Sequence, residues 1–246
     1  MRNIKILIEY DGRKFNGWQK QPNKLNIQGE IEEAIKEITG DEEINLIASG
    51  RTDAGVHALG QVANFKTQNE TLPIEKFPIA INSKLKESIR IQKAEEVDEM
   101  FHSRYSVHSK TYRYVINNSN YGSAILRDFE YHFPGKLDVE KMKEAAKYFV
   151  GEHDFKSFKA SGTSSKSSVR KILKAEVIYK EPRIIIELTG NGFLYNMVRI
   201  ISGTLLEVGL GKIKPEDIST IIEKKDRKLA GRTLPAKALY LVNVNY

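Results

Sequence analysis

Two kinds of apolar spacing alternate along these 246 residues, and their order restricts the fold more than any count of residue types. From Ile4 to Glu9 apolar and polar side chains take turns, as in a strand with one buried face. Ile27, Ile31, Ala34, Ile35 and Ile38 then recur at helical spacing until Gly40 stops the run. Strand patterns return at Asn45 to Ala48, Gln61 to Phe65 and Ile89 to Val97, with a helix expected from Ile74 through Leu85, where Pro73 and Pro78 complicate the start. The second half opens with a strand from Ser109 to Asn117 and a helix from Val139 to Val150 capped by Asp138. Strands at Ile172 to Tyr179 and Arg183 to Thr189 meet at a turn around Glu181-Pro182. A long apolar helix follows from about Phe193 to Val208, ending at Gly209 or Gly211. A short helix after Pro215 and a strand from Ala238 to Val244 complete the chain. This succession predicts an α+β fold of two plait-like (RRM or ferredoxin-like) halves, 1–104 and 105–246, sharing a mixed, mainly antiparallel sheet flanked by helices.

The chain has no cysteine, which excludes disulfides, thiolate zinc sites and a cysteine nucleophile, so packing must hold the fold together. The segment Met1-Arg2-Asn3-Ile4-Lys5-Ile6 enters a strand pattern without the apolar run of a signal peptide, and no stretch reaches membrane-spanning length. A soluble cytoplasmic protein is expected. The net charge of +7, from 39 basic and 32 acidic residues, points to a polyanionic partner only where it clusters. Between Phe155 and Ala175 stand Lys156, Lys159, Lys166, Arg170, Lys171 and Lys174 with no acidic residue, among Ser157, Ser161, Thr163, Ser164, Ser165, Ser167 and Ser168. That pattern suits a solvated basic loop and phosphate contact alike. From Arg104 to Tyr114, cations are mixed with Tyr105, Tyr112 and Tyr114. Cations of this kind hold phosphates while aromatic faces stack unpaired bases, at about 1–3 kcal/mol per base. An ordinary strand with Tyr112 and Tyr114 packed on one face is the simpler account of the same residues.

Other candidate sites fail. Gly209-Leu210-Gly211-Lys212 ends like a phosphate-binding loop, but Ile213 stands where Ser or Thr is required and Leu206 where the first glycine should be. Gly190-Asn191-Gly192 is explained by a tight turn from strand to helix. The histidines at 57, 102, 108, 132 and 153 form no zinc-like pairing, so neither metal nor cofactor is expected. The remaining candidate is Gly50-Arg51-Thr52-Asp53-Ala54-Gly55-Val56-His57. If it is extended, Arg51 and Asp53 project to one side, and the glycines allow the backbone to bend and a bulky ligand to come near. An Asx turn, with Asp53 bonded to its own backbone, would account for the same residues.

This segment, continued by Ala58, resembles the signature of the tRNA pseudouridine synthase A family. Further matches stand in the family's order: Tyr10-Asp11-Gly12 with Phe15, Gly17-Trp18-Gln19 and Gln21; Ser109-Lys110-Thr111-Tyr112-Arg113-Tyr114; and Gly151-Glu152-His153-Asp154-Phe155 with Phe158. They continue through Gly192-Phe193-Leu194-Tyr195-Asn196-Met197-Val198-Arg199, Gly231-Arg232, Pro235-Ala236 and Leu239-Tyr240-Leu241. Ala238, Ser168, Ser103 and Val107 depart from the family pattern.

The resemblance implies an isomerisation in which the uracil of a chosen uridine is cut from its ribose, turned, and rejoined through carbon, without a cofactor. It implies that Asp53 is the catalytic carboxylate, that Arg199 keeps it ionised, that Tyr112 stacks on the uracil and that Arg51 props the space the base leaves. Lys110 and Arg170 are candidate RNA contacts. The implied partner is the anticodon stem-loop of tRNA, with uridines 38, 39 and 40 as the family's targets, and the implied assembly is a homodimer with no membrane partner. Two other readings are a non-catalytic RNA-binding protein of plait type and an unrelated metabolic α/β enzyme. A binder has no use for a carboxylate that repels phosphate, and the metabolic reading lacks its small-molecule motif.

Overall fold

The computed structural model describes residues 1–162 and 167–246; Thr163, Ser164, Ser165 and Lys166 of the basic stretch lie outside the described residues. The first elements are Arg2–Tyr10 (β1), Ile27–Thr39 (α1), Ile47–Ala48 (β2), His57–Thr67 (β3), Phe77–Asn82 (α2), Ile89–Val97 (β4) and Ser109–Asn117 (β5). Then come Tyr131–His132 (β6), Val139–Lys147 (α3), Gly151–Asp154 (β7), Val169–Lys180 (β8) and Arg183–Gly190 (β9). Met197–Gly209 (α4), Asp217–Lys224 (α5) and Leu239–Asn245 (β10) follow. The architecture is α+β, as the spacing predicts, and the chain divides into two compact units.

The first unit comprises Met1–His108 with Tyr240–Tyr246. β1 pairs antiparallel with β3 on one side and β4 on the other; β2 also pairs with β3, and β10 joins β3 in parallel. Alternation along β1 puts Ile4, Ile6 and Ile8 wholly inside, where α1 contributes Ile27, Ile31, Ala34 and Ile35. α1 starts at Asn26, whose side chain accepts from Gly29 N at 2.8 Å, and ends at Gly40, as expected. The helix expected from Ile74 through Leu85 is a 3-10 turn, Ile74–Lys76, followed by the short α2. Pro78 lacks an N–H and its ring clashes with the preceding turn, so an α-helix can carry it only near its start.

The second unit comprises Ser109–Leu239. Its antiparallel order is β5-β9-β8-β7, with β6 parallel to β5. Asp138 caps α3 by accepting from Lys141 N at 3.1 Å. α4 is buried over most of its length, which accounts for its apolar sequence. It begins at Met197 rather than Phe193, because Asn196 adopts a left-handed backbone (φ 59°) that no α-helix contains. Two short strands, β6 and β7, carry polar sequences without the alternation that announces a strand.

Candidate active site

The Asp53 segment lies in the first unit, between β2 and β3. Burial alternates across it: Arg51 is exposed, Thr52 buried and Asp53 half-buried, so the two charged residues face outward while Thr52 faces the core. The backbone is held at three points. Gln61 Nε2 donates to the Gly50 carbonyl at 3.0 Å, Trp18 N to the Thr52 carbonyl at 3.1 Å and Val56 N to the Asp53 carbonyl at 3.1 Å. The last bond closes a turn, Asp53 to Val56, in which Gly55 takes a φ of 78°; Gly50 does not enter the left-handed region. Gly17 lies against the turn so closely that a Cβ there would come within 2.7 Å of the Thr52 carbonyl oxygen.

Inside the turn, Thr52 Oγ1 and the Tyr10 hydroxyl share a hydrogen bond of 2.7 Å. Burial pushes the Tyr10 phenol well above the ordinary tyrosine range, despite the opposing bonds to Thr52 and Gln61, so it stays protonated. Beyond the turn, the His57 ring stacks on Tyr240 at 5.0 Å between centroids. Gly12 N donates to His57 Nδ1 at 3.2 Å, and the same ring nitrogen lies 3.3 Å from Asp11 Oδ1. Partial burial opposes charge on Asp11, but its bonds to Arg13 and the Arg13 charge outweigh it and hold the carboxyl below the ordinary range.

Tyr112, Arg199, Lys110 and Arg170 belong to the second unit. Tyr112 on β5 stands opposite Leu188, is only 8% exposed and meets Phe193 edge-on, with ring centroids 5.0 Å apart. Tyr114, on the same face, is wholly buried and donates to the Pro235 carbonyl at 2.9 Å. Arg199 is half-buried in the first turn of α4; its Nε donates to the Leu234 carbonyl at 2.6 Å and its Nη1 to Asn196 Oδ1 at 2.7 Å. Lys110 pairs across the sheet with Gly190, which on its other side pairs with Ile172. Arg170, two residues before Ile172, donates to the Ser167 and Val169 carbonyls, and partial burial lowers its pKa. Lys110 and Arg170 therefore belong to the same end of this sheet.

Of the basic stretch, Lys174 pairs with Glu176 at 2.8 Å, while Asp154 binds Lys225 at 2.9 Å. Bonds from Ser168 and Lys225 hold the Asp154 carboxyl below the ordinary range. Among the described residues no group of three or more His, Asp or Glu side chains could hold a metal ion. No helix among them is long and apolar enough to cross a membrane.

A family model described as tRNA pseudouridine synthase matches residues 6–106 and 145–246. The chain belongs to the tRNA pseudouridine synthase family. It is 55% identical to a tRNA pseudouridine synthase A of Caldicellulosiruptor saccharolyticus, and 53% identical to one of Acetivibrio thermocellus, over 246 residues and 100% of each chain in both cases. A relative of the same description from Clostridium acetobutylicum is 49% identical over the same span. Membership makes the chain an isomerase that converts uridine to pseudouridine in tRNA. Arg51, Asp53, Arg170 and Arg199 fall within the matched segments; Lys110 and Tyr112 fall in the interval between them, which the full-length relatives cover. A chain of the solved Cbf5-Nop10-Gar1 complex aligns with a TM-score of 0.39 and 14% identity, over 96% of this chain and 57% of that one, a likeness too distant to carry weight.

Residue patterns alone overlooked the groups that hold these side chains. Tyr10 stands in the Tyr10-Asp11-Gly12 motif, yet nothing in that motif tells of a bond to Thr52. Gln61 left a faint signal as an amide opening an apolar strand run, and Asn196 stands in the motif that ends at Arg199, which tells nothing of the bond between them.

Proposed function

We propose that the isomerisation takes place in the anticodon stem-loop of tRNA and that Asp53 supplies the reacting carboxylate. The observation that carries this reading is a half-buried carboxylate at the head of a turn whose backbone is bonded at three points, so that the side chain can meet a substrate while the chain beneath it stays still. In the reaction a carbon–nitrogen bond between uracil and ribose breaks and a carbon–carbon bond replaces it, with nothing gained or lost overall. Asp53 attacks the sugar or removes one of its protons, and both routes require an ionised carboxylate. The family resemblance assigns that need to Arg199, since a guanidinium beside a carboxylate favours the charged form against desolvation.

A base held in a stem or stacked loop leaves its neighbours at a cost of a few kcal/mol. Tyr112 offsets part of that cost by stacking on the uracil, and exposed Arg51 props the space left behind. A stacking partner only 8% exposed must receive its base within the fold rather than on the surface. Lys110 and Arg170 contact phosphates, which position the RNA without reading its sequence. The division of labour follows the halves 1–104, with the carboxylate, and 105–246, with the tyrosine and arginine. The enzyme works in the cytoplasm as a homodimer, a state that light scattering of the purified chain would measure directly.

The deciding experiment maps pseudouridine by position in unmodified tRNA after incubation with the purified protein. The wild-type chain is expected to modify anticodon stem-loop uridines, and Asp53→Asn to abolish the product while leaving RNA affinity largely intact. Full activity in Asp53→Asn would remove Asp53 from its role, and product confined to another arm of the tRNA would overturn the substrate assignment. Tyr112→Ala is expected to slow turnover more than it weakens binding; weaker binding with normal turnover at saturation would contradict stacking on the base.

A further inference from the structure

Behind the Asp53 turn runs a buried chain of polar groups that the isomerisation as described does not employ. Thr52 Oγ1 and the Tyr10 hydroxyl are joined at 2.7 Å, and the Gln61 side chain lies beside that hydroxyl. Gln61 Oε1 accepts from Ser49 Oγ at 2.7 Å, and its Nε2 donates to the Gly50 carbonyl. Ser49, Thr52, Tyr10 and Gln61 are all buried. Gln61 stands opposite Ile8 on β3, and the register of the β1–β3 pair shifts between Ile8 and Tyr10, next to the point where Tyr10 reaches Thr52.

Polar groups in such a place are demanding, since losing one partner leaves the other unpaired away from water. Apolar side chains of the same shape would fill the space without that demand. What hydrogen bonds add is direction. Thr52 immediately precedes Asp53, is stiff about its first side-chain torsion, and has both its hydroxyl and its carbonyl engaged. In a backbone that alternates sides, fixing Thr52 inward fixes Asp53 outward.

We propose that the Tyr10–Thr52 hydroxyl pair, braced by Gln61, is a positioning device that sets the direction in which the Asp53 side chain leaves the turn. The proposal rests on Asp53 being the reacting carboxylate. Neither hydroxyl touches the substrate; Tyr10 and Thr52 act through Asp53. Misplacing a reacting group by about 1 Å costs on the order of 100-fold in rate, so loosening this pair should act on turnover before it acts on RNA binding.

The test compares kcat, KM for tRNA and melting temperature across Thr52→Ser, Thr52→Val, Tyr10→Phe and the double variant Thr52→Val/Tyr10→Phe. Thr52→Ser keeps a hydroxyl and should retain kcat. Thr52→Val and Tyr10→Phe, which preserve shape, should each lower kcat by roughly tenfold to 100-fold at unchanged KM. Because both delete one interaction, the double variant should lose no more than the worse single one. Full kcat in Thr52→Val, a loss carried by KM, an equal loss in Thr52→Ser, or losses that multiply in the double variant would each overturn the positioning role. Asp53→Asn measured alongside separates the two claims. If it is active, the catalytic reading fails; if it is inactive while Thr52→Val keeps full kcat, positioning alone fails.

Discussion

The Asp53 turn and the head of α4 both present a charged side chain, and the hydrogen bonds that order them act at different places. In the turn the backbone is bonded, at the Gly50, Thr52 and Asp53 carbonyls, and the carboxylate is carried outward by its stem. At the head of α4 the side chain itself is bonded, with the guanidinium forked between the Leu234 carbonyl and the Asn196 amide oxygen. A short side chain has few torsions, so a rigid backbone already does much to aim it. A long one has many, and order must be applied at its tip, where the planar fork of arginine accepts two fixed partners with little further loss of freedom.

The contrast predicts different sensitivities to small changes. Asp53→Glu should produce the largest effect, because the extra methylene displaces the carboxylate by about 1 Å over a backbone that cannot retreat; kcat should fall on the order of 100-fold, measured as pseudouridine formed at saturating tRNA. A mild effect would mean that the turn yields. Arg199→Lys keeps the charge but replaces the fork by a point donor that cannot serve both partners, and kcat should fall about tenfold in the same assay, roughly 1.4 kcal/mol. Unchanged kcat would make charge alone sufficient and remove the meaning of the fork. Asn196→Ala should cost about 1–2 kcal/mol of stability by thermal or denaturant unfolding, from the left-handed backbone and the lost bond to Arg199. Asn196→Gly relieves the backbone and should recover part of that loss; recovery of all of it would leave the bond to Arg199 without consequence.

Much of the scaffold was legible because it depends on spacing. The alternation of Ile4, Ile6 and Ile8, the helical stripe of Ile27, Ile31, Ala34 and Ile35, the stop at Gly40 and the cap at Asp138 all answer to neighbours within a few residues. Errors occurred where a local signal had another cause. Phe193 and Leu194 continue the apolar pattern of α4 but pack from a non-helical approach, since Asn196 turns the chain before the helix begins. β3 starts four residues earlier than the apolar run suggests, at His57, because Leu59 and Gly60 interrupt the alternation there.

For the candidate site, the identities of Arg51, Asp53, Tyr112 and Arg199 and the chain's family membership could be read without coordinates, since motif and order are properties of the sequence itself. An extended spacing puts Arg51 and Asp53 on one side, and burial places Thr52 on the other. How these residues are supported could not be read. Tyr10 and Thr52 lie 42 positions apart, and Arg199 and Leu234 lie 35 apart. Hydrogen bonds across such separations exist only once the sheet and helices have brought distant segments within 3 Å, and no periodicity in the chain encodes which donor will find which acceptor.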